Sequence, residues 1–501
     1  MLTDLTFLER GKPWPPPCEK ERLDTYAANK KLFENKHAEV YRRQFQRIDR
    51  VIGNFSEIIR YPVILNFQRL MSLKMADLVM GEPPSITVPD ITARAGTVDT
   101  EKQQAVNRFL VDTDLLNKTY SGVIDLSRYG NSLLVLGKHK TGTKPVVKLV
   151  PPRPWFPVVD PISIDEIQYH VLGYDWLYDE ARNEYRLTVE IHKADDPGKC
   201  ERHTYKLDGA ESGWRIGQEI QPGIDQAEKL ETSIDVCPLF VLSNVQTSDS
   251  VYGFDDYDSI DSLISELIIR VAQISCVLDK HAAPSMSGPA TALERDQDTG
   301  QWRLRLNNYF PRESGPDGVD PPLEYITWDG SLDAAFKQIE TLTNQLYSIS
   351  EMGAALFGDM SNNTGSVPSG SALRRLMISP LAKARRVASG IDPILKRLIS
   401  AGVALYGTKI LPEEITIKWN DGLPDDEAEQ AQIMDVRTGG QPTISQYTAI
   451  QRLDNMTPGD VDSELEQMRE EAAGRTPPAL SFFNPREDTA DETPPVVEDS
   501  S

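Results

Sequence analysis

Two amphipathic helical segments bracket a Pro- and Gly-rich insert spanning 282–330, and this arrangement restricts the fold more than any other feature of the chain. In the first segment Ile260, Leu263, Ile264, Leu267, Ile268, Val271, Ile274 and Leu278 recur at the three- and four-residue spacing of one helical face. Leu332, Phe336, Ile339, Leu342, Leu346, Ile349 and Leu356 repeat that spacing in the second. Helices of this kind can pair antiparallel and display the insert at one end.

The flanks read as mixed α and β structure. After a Pro-rich lead (Pro13, Pro15 to Pro17), a charged helical stretch is expected over Glu19–Arg47 and a second helix over Val63–Met80, stopped by Gly81-Glu82-Pro83-Pro84. A strand follows at Ser85–Val88, then a third helix at Thr100–Tyr129 ended by Gly130-Asn131. Ser132–Leu136 and Val146–Val150 read as a hairpin across Lys140–Lys144, and Trp155–Leu242 as mainly antiparallel β structure. Beyond the bracketed insert comes a polar loop, GDMSNNTGSVPSG from Gly358 to Gly370. A long helix is expected over Ser371–Tyr406, kinked by Pro380 and Pro393. A strand at Ile415–Trp419 precedes an acidic helical region, Pro424–Ala473, and the Pro- and acid-rich tail Arg475–Ser501 is expected to be disordered. The fold class is α+β.

With 53 basic and 76 acidic residues among 501, the formal charge is −23, which argues against a protein that coats nucleic acid with Lys and Arg. A hydrophobic share of 39% is enough for real cores and excludes disorder throughout, and the length suggests about three domains. Cys18, Cys200, Cys237 and Cys276 lie far apart with no CxxC pair, the pattern of a reducing compartment. The N-terminus lacks a signal-peptide layout, and no apolar run reaches the ~20 residues of a membrane span. An intracellular, soluble chain is expected, with no membrane partner and no use for its Asn-x-Ser/Thr triplets.

Catalytic signatures are missing. Gly137 and Gly142-Thr143-Lys144 reverse the phosphate-loop order and sit between strands, so a hairpin turn is the better reading. Asp255, Asp256, Asp258 and Asp261 could hold Mg²⁺, but acids at a helix start are favoured by the macrodipole, and solvated or interface charge is expected. Asp296 and Asp298 open something like a calcium loop, with Gly one position early. Cys200 and His203, with His192 upstream, have zinc-like spacing but no second pair in register. His281 closes a helix and reads as a dipole partner, and no HExxH or GxSxG occurs. No cofactor, metal site or enzymatic activity is expected.

One feature rises above background. Arg374-Arg375, Arg385-Arg386 and Lys396-Arg397 recur at intervals of eleven, and with Lys383 they fall on one half of the long helix. Leu373, Leu376, Met377, Leu381, Ala384, Val387, Ile391, Ile394, Leu395 and Leu398 fall on the other. In so acidic a chain such a stripe fits pairing with acidic surfaces of the same or a neighbouring subunit, contact with DNA phosphates, or plain solvation.

At this point several stretches, in order, resemble the portal proteins of tailed, siphovirus-type bacteriophages. They are NFQRLMSLKMADLVMGEPP (Asn66 to Pro84), YGNSLLVLGK and PWFPVVDP (within Arg128 to Pro161), SGSALRRLMISPLAKARR (Ser369 to Arg386), and IKWNDGLPDDEAEQAQ followed by ISQYTAIQRL. The resemblance covers about 30–474, and no single motif is a strict signature. It implies a wing over 1–250 with a strand return over 407–423, a stem helix over 251–281, a clip over 282–330 and a second stem helix over 331–357. It further implies a tunnel loop over 358–370, a channel-lining helix over 371–406, a crown over 424–474 and an acidic tail over 475–501. The Pro-rich lead and the tail have no family counterpart.

The resemblance also implies a function: a ring of twelve subunits at one capsid vertex, through which double-stranded DNA passes without sequence specificity. The implied partners are the terminase large subunit, the head–tail connector or adaptor, and the major capsid and scaffolding proteins. The implied location is the virion, after assembly in the host cytoplasm. Asn362, Asn363 and Thr364 would approach the DNA, and the basic stripe would face a neighbouring subunit or, at Arg374 and Arg375, the DNA. A monomeric acidic adaptor or scaffold and a metal-dependent nuclease built on Asp255–Asp261 stand as the alternatives.

Overall fold

The computed structural model describes residues 1–43, 45–46, 63–90, 98–139, 144–196, 198–209, 213–220, 229–231, 236–282, 285–289, 309–313, 315–326, 332–358, 374–420, 427–439, 443–453 and 458–475. It divides into two compact units, Met1–Pro424 and Asp425–Ser501. The described helices of the first are α1 (Lys20–Phe33), α2 (His37–Val40), α3 (Phe67–Met80), α4 (Thr100–Thr113), α5 (Leu115–Tyr129), α6 (Asp258–Ala282), α7 (Asp333–Ile349), α8 (Gly353–Leu356) and α9 (Ile378–Ala404). Those of the second are α10 (Glu427–Thr438), α11 (Gln446–Leu453) and α12 (Pro458–Arg475).

Local chemistry explains where the helices break. The expected first helix divides at Asn35, whose φ of 68° is left-handed. The expected third helix divides at Asp114, φ 52°, a residue type that tolerates this conformation. Asn66 caps α3 by accepting from Arg69 N at 3.0 Å, and Asp99 caps α4 by accepting from Lys102 N at 3.2 Å. Gly130 ends α5 at φ +78°, and a Cβ there would lie 2.0 Å from Gly253 O. Only two glycines allow this approach, which brings the end of α5 against the entry to α6.

The strands of the first unit are β1 (Pro13–Trp14), β2 (Ser85–Thr87), β3 (Asn131–Lys138), β4 (Pro145–Val150), β5 (Trp155–Val159), β6 (Ile167–Asp179), β7 (Glu184–Lys193), β8 (Lys199–Asp208), β9 (Trp214–Glu219), β10 (Lys229–Glu231), β11 (Leu239–Ser243), β12 (Ser285–Pro289), β13 (Tyr309–Arg312), β14 (Glu324–Ile326) and β15 (Thr416–Lys418). The largest sheet is antiparallel in the order β1-β9-β8-β7-β6-β5, with β10 on β8. A second sheet runs β11-β3-β4, and β15 pairs with β2 across some 330 residues of sequence. Within the insert β12 pairs parallel to β13 and antiparallel to β14. The turn at 140–143 and the expected hairpin at Asp298-Thr299-Gly300 lie outside the described residues.

Sheet alternation distributes the cores. Leu134 and Leu136 of β3 enter a large core with α3, α4, α5, the start of α6 and α9, while Leu133 and Val135, which alternate with them, face a smaller one with Trp155, Leu172 and Leu239. A third core covers one face of the largest sheet, and the N-terminal lead supplies part of it. Leu2 bridges to Val158, β1 pairs with β9, and Phe7, Leu8 and Trp14 are buried. The lead, to which the sequence assigned no role, is a structural part of the sheet. In the second unit α10 packs on α11 and α11 on α12, with Ser445 Oγ capping α11 by accepting from Thr448 N.

Candidate functional site

The long helix α9 is seated by its apolar face. Leu381, Ala384, Val387, Ala388, Ile391, Leu395, Leu398, Ile399 and Val403 are all buried. Gly402 lets the helix approach α4 so closely that a Cβ there would fall 2.1 Å from a ring carbon of Phe109. Tyr406 Oη donates to Asp112 Oδ2 at 2.6 Å and pins the C-terminal end to the same neighbour. Pro380 lies in the first turn of the helix, and its missing N–H leaves Leu376 O without a helical donor, which fits the break at Met377. The helix runs unbroken through Pro393.

Ala382, Arg385, Arg386, Ser389, Gly390, Pro393 and Arg397 form the exposed face, at the three- and four-residue spacing of one side. Arg375 is exposed and Arg374 half-buried. Two members of the stripe have carboxylate partners within this chain on its surface. Arg386 pairs with Glu351, and Lys396 Nζ lies 2.7 Å from Asp392 Oδ2, whose other oxygen accepts from Trp419 Nε1. Lys383 requires a correction: it does not belong to an outward-facing stripe. Its side chain is 7% exposed, its ammonium lies 3.0 Å from Asp256 Oδ1, and it donates to Ser350 O at 3.0 Å. It sits one turn from Pro380 and beside Ala384 and Val387, where the helix faces protein rather than solvent. Asn362, Asn363 and Thr364 lie outside the described residues.

The four clustered aspartates point to different neighbours instead of converging. Asp255 Oδ1 accepts from Tyr257 N at 2.9 Å and Asp258 N at 3.0 Å, capping α6. Burial, opposed by those two bonds, pushes the Asp255 carboxyl up to about 6. Asp256 Oδ1 takes Lys383 and, at 3.1 Å, Asn244 Nδ2. Asp261 Oδ1 accepts from Tyr41 Oη at 2.9 Å and Gln68 Nε2 at 3.1 Å, and burial raises its pKa. Gln68 Oε1 in turn meets His37 Nε2 at 3.0 Å. Only Asp258 of the four is exposed, so of the two expected readings, solvated or interface charge, the cluster takes the second and joins helices within the subunit.

The remaining candidates are also accounted for locally. His192 and Cys200 are cross-strand partners on β7 and β8, with Nε2 and Sγ 3.5 Å apart. Burial raises the Cys200 thiol to about 12 and depresses His192, which leaves both neutral. His203 turns away to Glu219 Oε1 at 2.8 Å. Among the described residues no group of three or more His, Cys, Asp or Glu could hold a metal ion. His281 is the penultimate residue of α6, and Asp296 and Asp298 lie outside the described residues.

Sequence reasoning missed two features. Arg22 is held by Glu19 at 2.7 Å and by the carbonyls of Pro152 and Trp155, under the ring of Tyr252. A groove of about 840 Å³ lies beside the C-terminal half of α9, lined by Trp155, Ile167, Leu239, Ile394, Arg397 and Leu405 among others. Both join residues more than 130 positions apart, which no local periodicity registers.

The model of the family described as phage portal protein, SPP1 Gp6-like, matches residues 16–477. Among solved structures, the neck of an empty GTA particle computed with C6 symmetry is 12% identical with a TM-score of 0.44, over 77% of this chain and 90% of that one. The neck of a native GTA particle computed with C12 symmetry is 13% identical with a TM-score of 0.38, over 77% and 89%. The virion of a native gene transfer agent particle is 11% identical with a TM-score of 0.40, over the same shares. No curated protein matches. The family match spans more than nine-tenths of the sequence, and the chain therefore belongs to the phage portal proteins, a structural and not a catalytic family, of the SPP1 Gp6-like kind.

Proposed function

We propose that this chain is the subunit of a ring of twelve copies at one capsid vertex, through which double-stranded DNA is packaged and later ejected. The match of residues 16–477 to the portal family carries this reading. In it, 1–250 is the wing, 251–281 and 331–357 are the stem helices around a clip at 282–330, and 358–370 is the tunnel loop. The helix over 371–406 lines the channel, 407–423 returns to the wing, and 424–474 is the crown. The terminase large subunit docks on the ring during packaging and the head–tail connector afterwards, with capsid and scaffolding proteins around it.

The charge supports this use. Identical subunits close into a ring through heterologous interfaces, and twelve copies at −23 each make a strongly anionic assembly that discourages DNA from sticking. The few exposed arginines of α9 can then meet a neighbour or centre the duplex without holding it in many contacts at once. Native mass spectrometry of the purified chain tests the reading. A particle near twelve times 56.0 kDa is expected, and a chain that stays monomeric at micromolar concentration overturns it.

A further inference from the structure

The buried ammonium of Lys383 joins three parts of the subunit that are remote in sequence. It meets Asp256 Oδ1 at the entry to α6 and Ser350 O at the exit of α7, both at 3.0 Å, from the second turn of α9. Two more groups of α9 grip the same turn: Ser379 Oγ donates to Glu351 O at 3.2 Å, and Arg386 pairs with the Glu351 carboxylate. The turn itself is tightly specified, with Glu351 at φ 60°, Gly353 at φ +65° and Met352 fully buried between them. A Cβ on Gly353 would stand 3.7 Å from Leu376 O and from the Pro380 ring, so α8 lies against the residues that lead into α9.

This bracket is poorly arranged for stability alone. Asp256 Oδ2 is buried and has no hydrogen-bond partner among the described residues, while Oδ1 takes two donors. Replacing a buried ion pair by apolar residues of similar volume is often neutral or stabilising, whereas removing one partner strands a charge. What such a pair supplies beyond stability is a single register, because an ammonium with fixed acceptors tolerates little sliding.

We propose that Lys383 is a positioning residue that latches α9 to the entry of α6 and the 350–353 turn, holding Gly358 and Arg374 in one register. These residues are the two ends between which 359–373 runs, and the consequence for DNA passage rests on the portal reading. The test separates register from stability with a single variant, Lys383→Met, and a double variant, Lys383→Met with Asp256→Leu. The single variant should unfold at clearly lower temperature, and the double should recover most of that loss. In the folded double variant, amide exchange across 350–358 and 374–380 should be at least tenfold faster than in the wild type, while α4 and α5 exchange at the wild-type rate. Particles assembled with it should package less DNA. Wild-type exchange at both ends, or faster exchange with wild-type packaging, overturns the latch. Failure of the portal reading shows separately, in the mass of the wild-type ring.

Discussion

Gly402 allows a direct test of how the long helix is seated. An alanine there would place its Cβ 2.1 and 2.3 Å from two carbons of the Phe109 ring, against the ~3.5–4.0 Å of ordinary carbon contact. The ring has to retreat by at least ~1 Å, yet Phe109 is fully buried in the large core beside Val106. Overpacking of this kind costs ~1–3 kcal/mol, and the large deficit puts this site toward the upper end. Against it stands the gain of ~1 kcal/mol for replacing a helical glycine by alanine. Gly402→Ala should therefore destabilise by ~1–2 kcal/mol net. Gly390→Ala, in the same helix, meets nothing closer than Ser243 O at 3.7 Å and should stabilise by ~0.5–1 kcal/mol. Adding Phe109→Leu to Gly402→Ala should cost less than the two single effects combined, because the shorter side chain vacates the contested space. Thermal unfolding of the full chain at one fixed concentration orders the five proteins: wild type, the three single variants including Phe109→Leu, and the double variant. If Gly402→Ala melts at or above the wild type, the close approach is not the constraint described.

Asp255→Asn keeps the capping oxygen but removes a carboxyl whose pKa folding raises to about 6. The native state then holds a proton that the unfolded state has lost, so wild-type stability from this group is full near pH 4 and falls as pH rises through 6. The asparagine variant should match the wild type near pH 4 and exceed it by on the order of 1 kcal/mol at pH 8; equal melting at both pH values contradicts the raised pKa. Trp14→Ala should cost ~3–5 kcal/mol, because Trp14 is buried against Phe156 and Gly173 on the largest sheet; a loss below ~1 kcal/mol in urea unfolding would show that the lead merely rests there. Reversing Arg385→Glu with Arg397→Glu, both exposed and without an ion pair among the described residues, should reduce ring closure in negative-stain images, since like charges would repeat at every interface. Intact rings that package little DNA would instead assign the stripe to phosphate contact.

Elements that depend on local spacing were legible. The helices on either side of the insert, the strands around Gly137 and the apolar face of the long helix all follow from residues within a few turns of each other. Breaks inside helical stretches were not, because Asn35 and Asp114 adopt a left-handed conformation that their residue type permits but does not announce. The acid cluster was legible as a helix start, and Asp255 does cap one. Its other partners were hidden, since Tyr41 and Gln68 lie about two hundred positions from Asp261 and Lys383 lies 127 from Asp256. Lys383 shows the limit most clearly: helical angle alone places it at the border of two faces, and only the packing of the 350–353 turn decides which one it joins.

That decision changes what the basic helix can do. Of its seven charges, Lys383, Arg386 and Lys396 have carboxylate partners inside their own chain, so those three sites contribute little net field outside it. Arg375, Arg385 and Arg397 are exposed and make no ion pair among the described residues. Phosphate binding grows with the number of cations engaged at once, each adding close to one unit of salt dependence. A helix that neutralises part of its stripe internally, in a chain of charge −23, holds that number down in every subunit. The same sparing arrangement leaves Arg385 available for a neighbour's acid, where a surface pair is worth only ~0–1 kcal/mol singly but is repeated around a ring. Weak, repeated and partly self-satisfied charge is what a surface needs if it is to border moving DNA, and the internal pairing of Lys383 is the part of that pattern the sequence could not display.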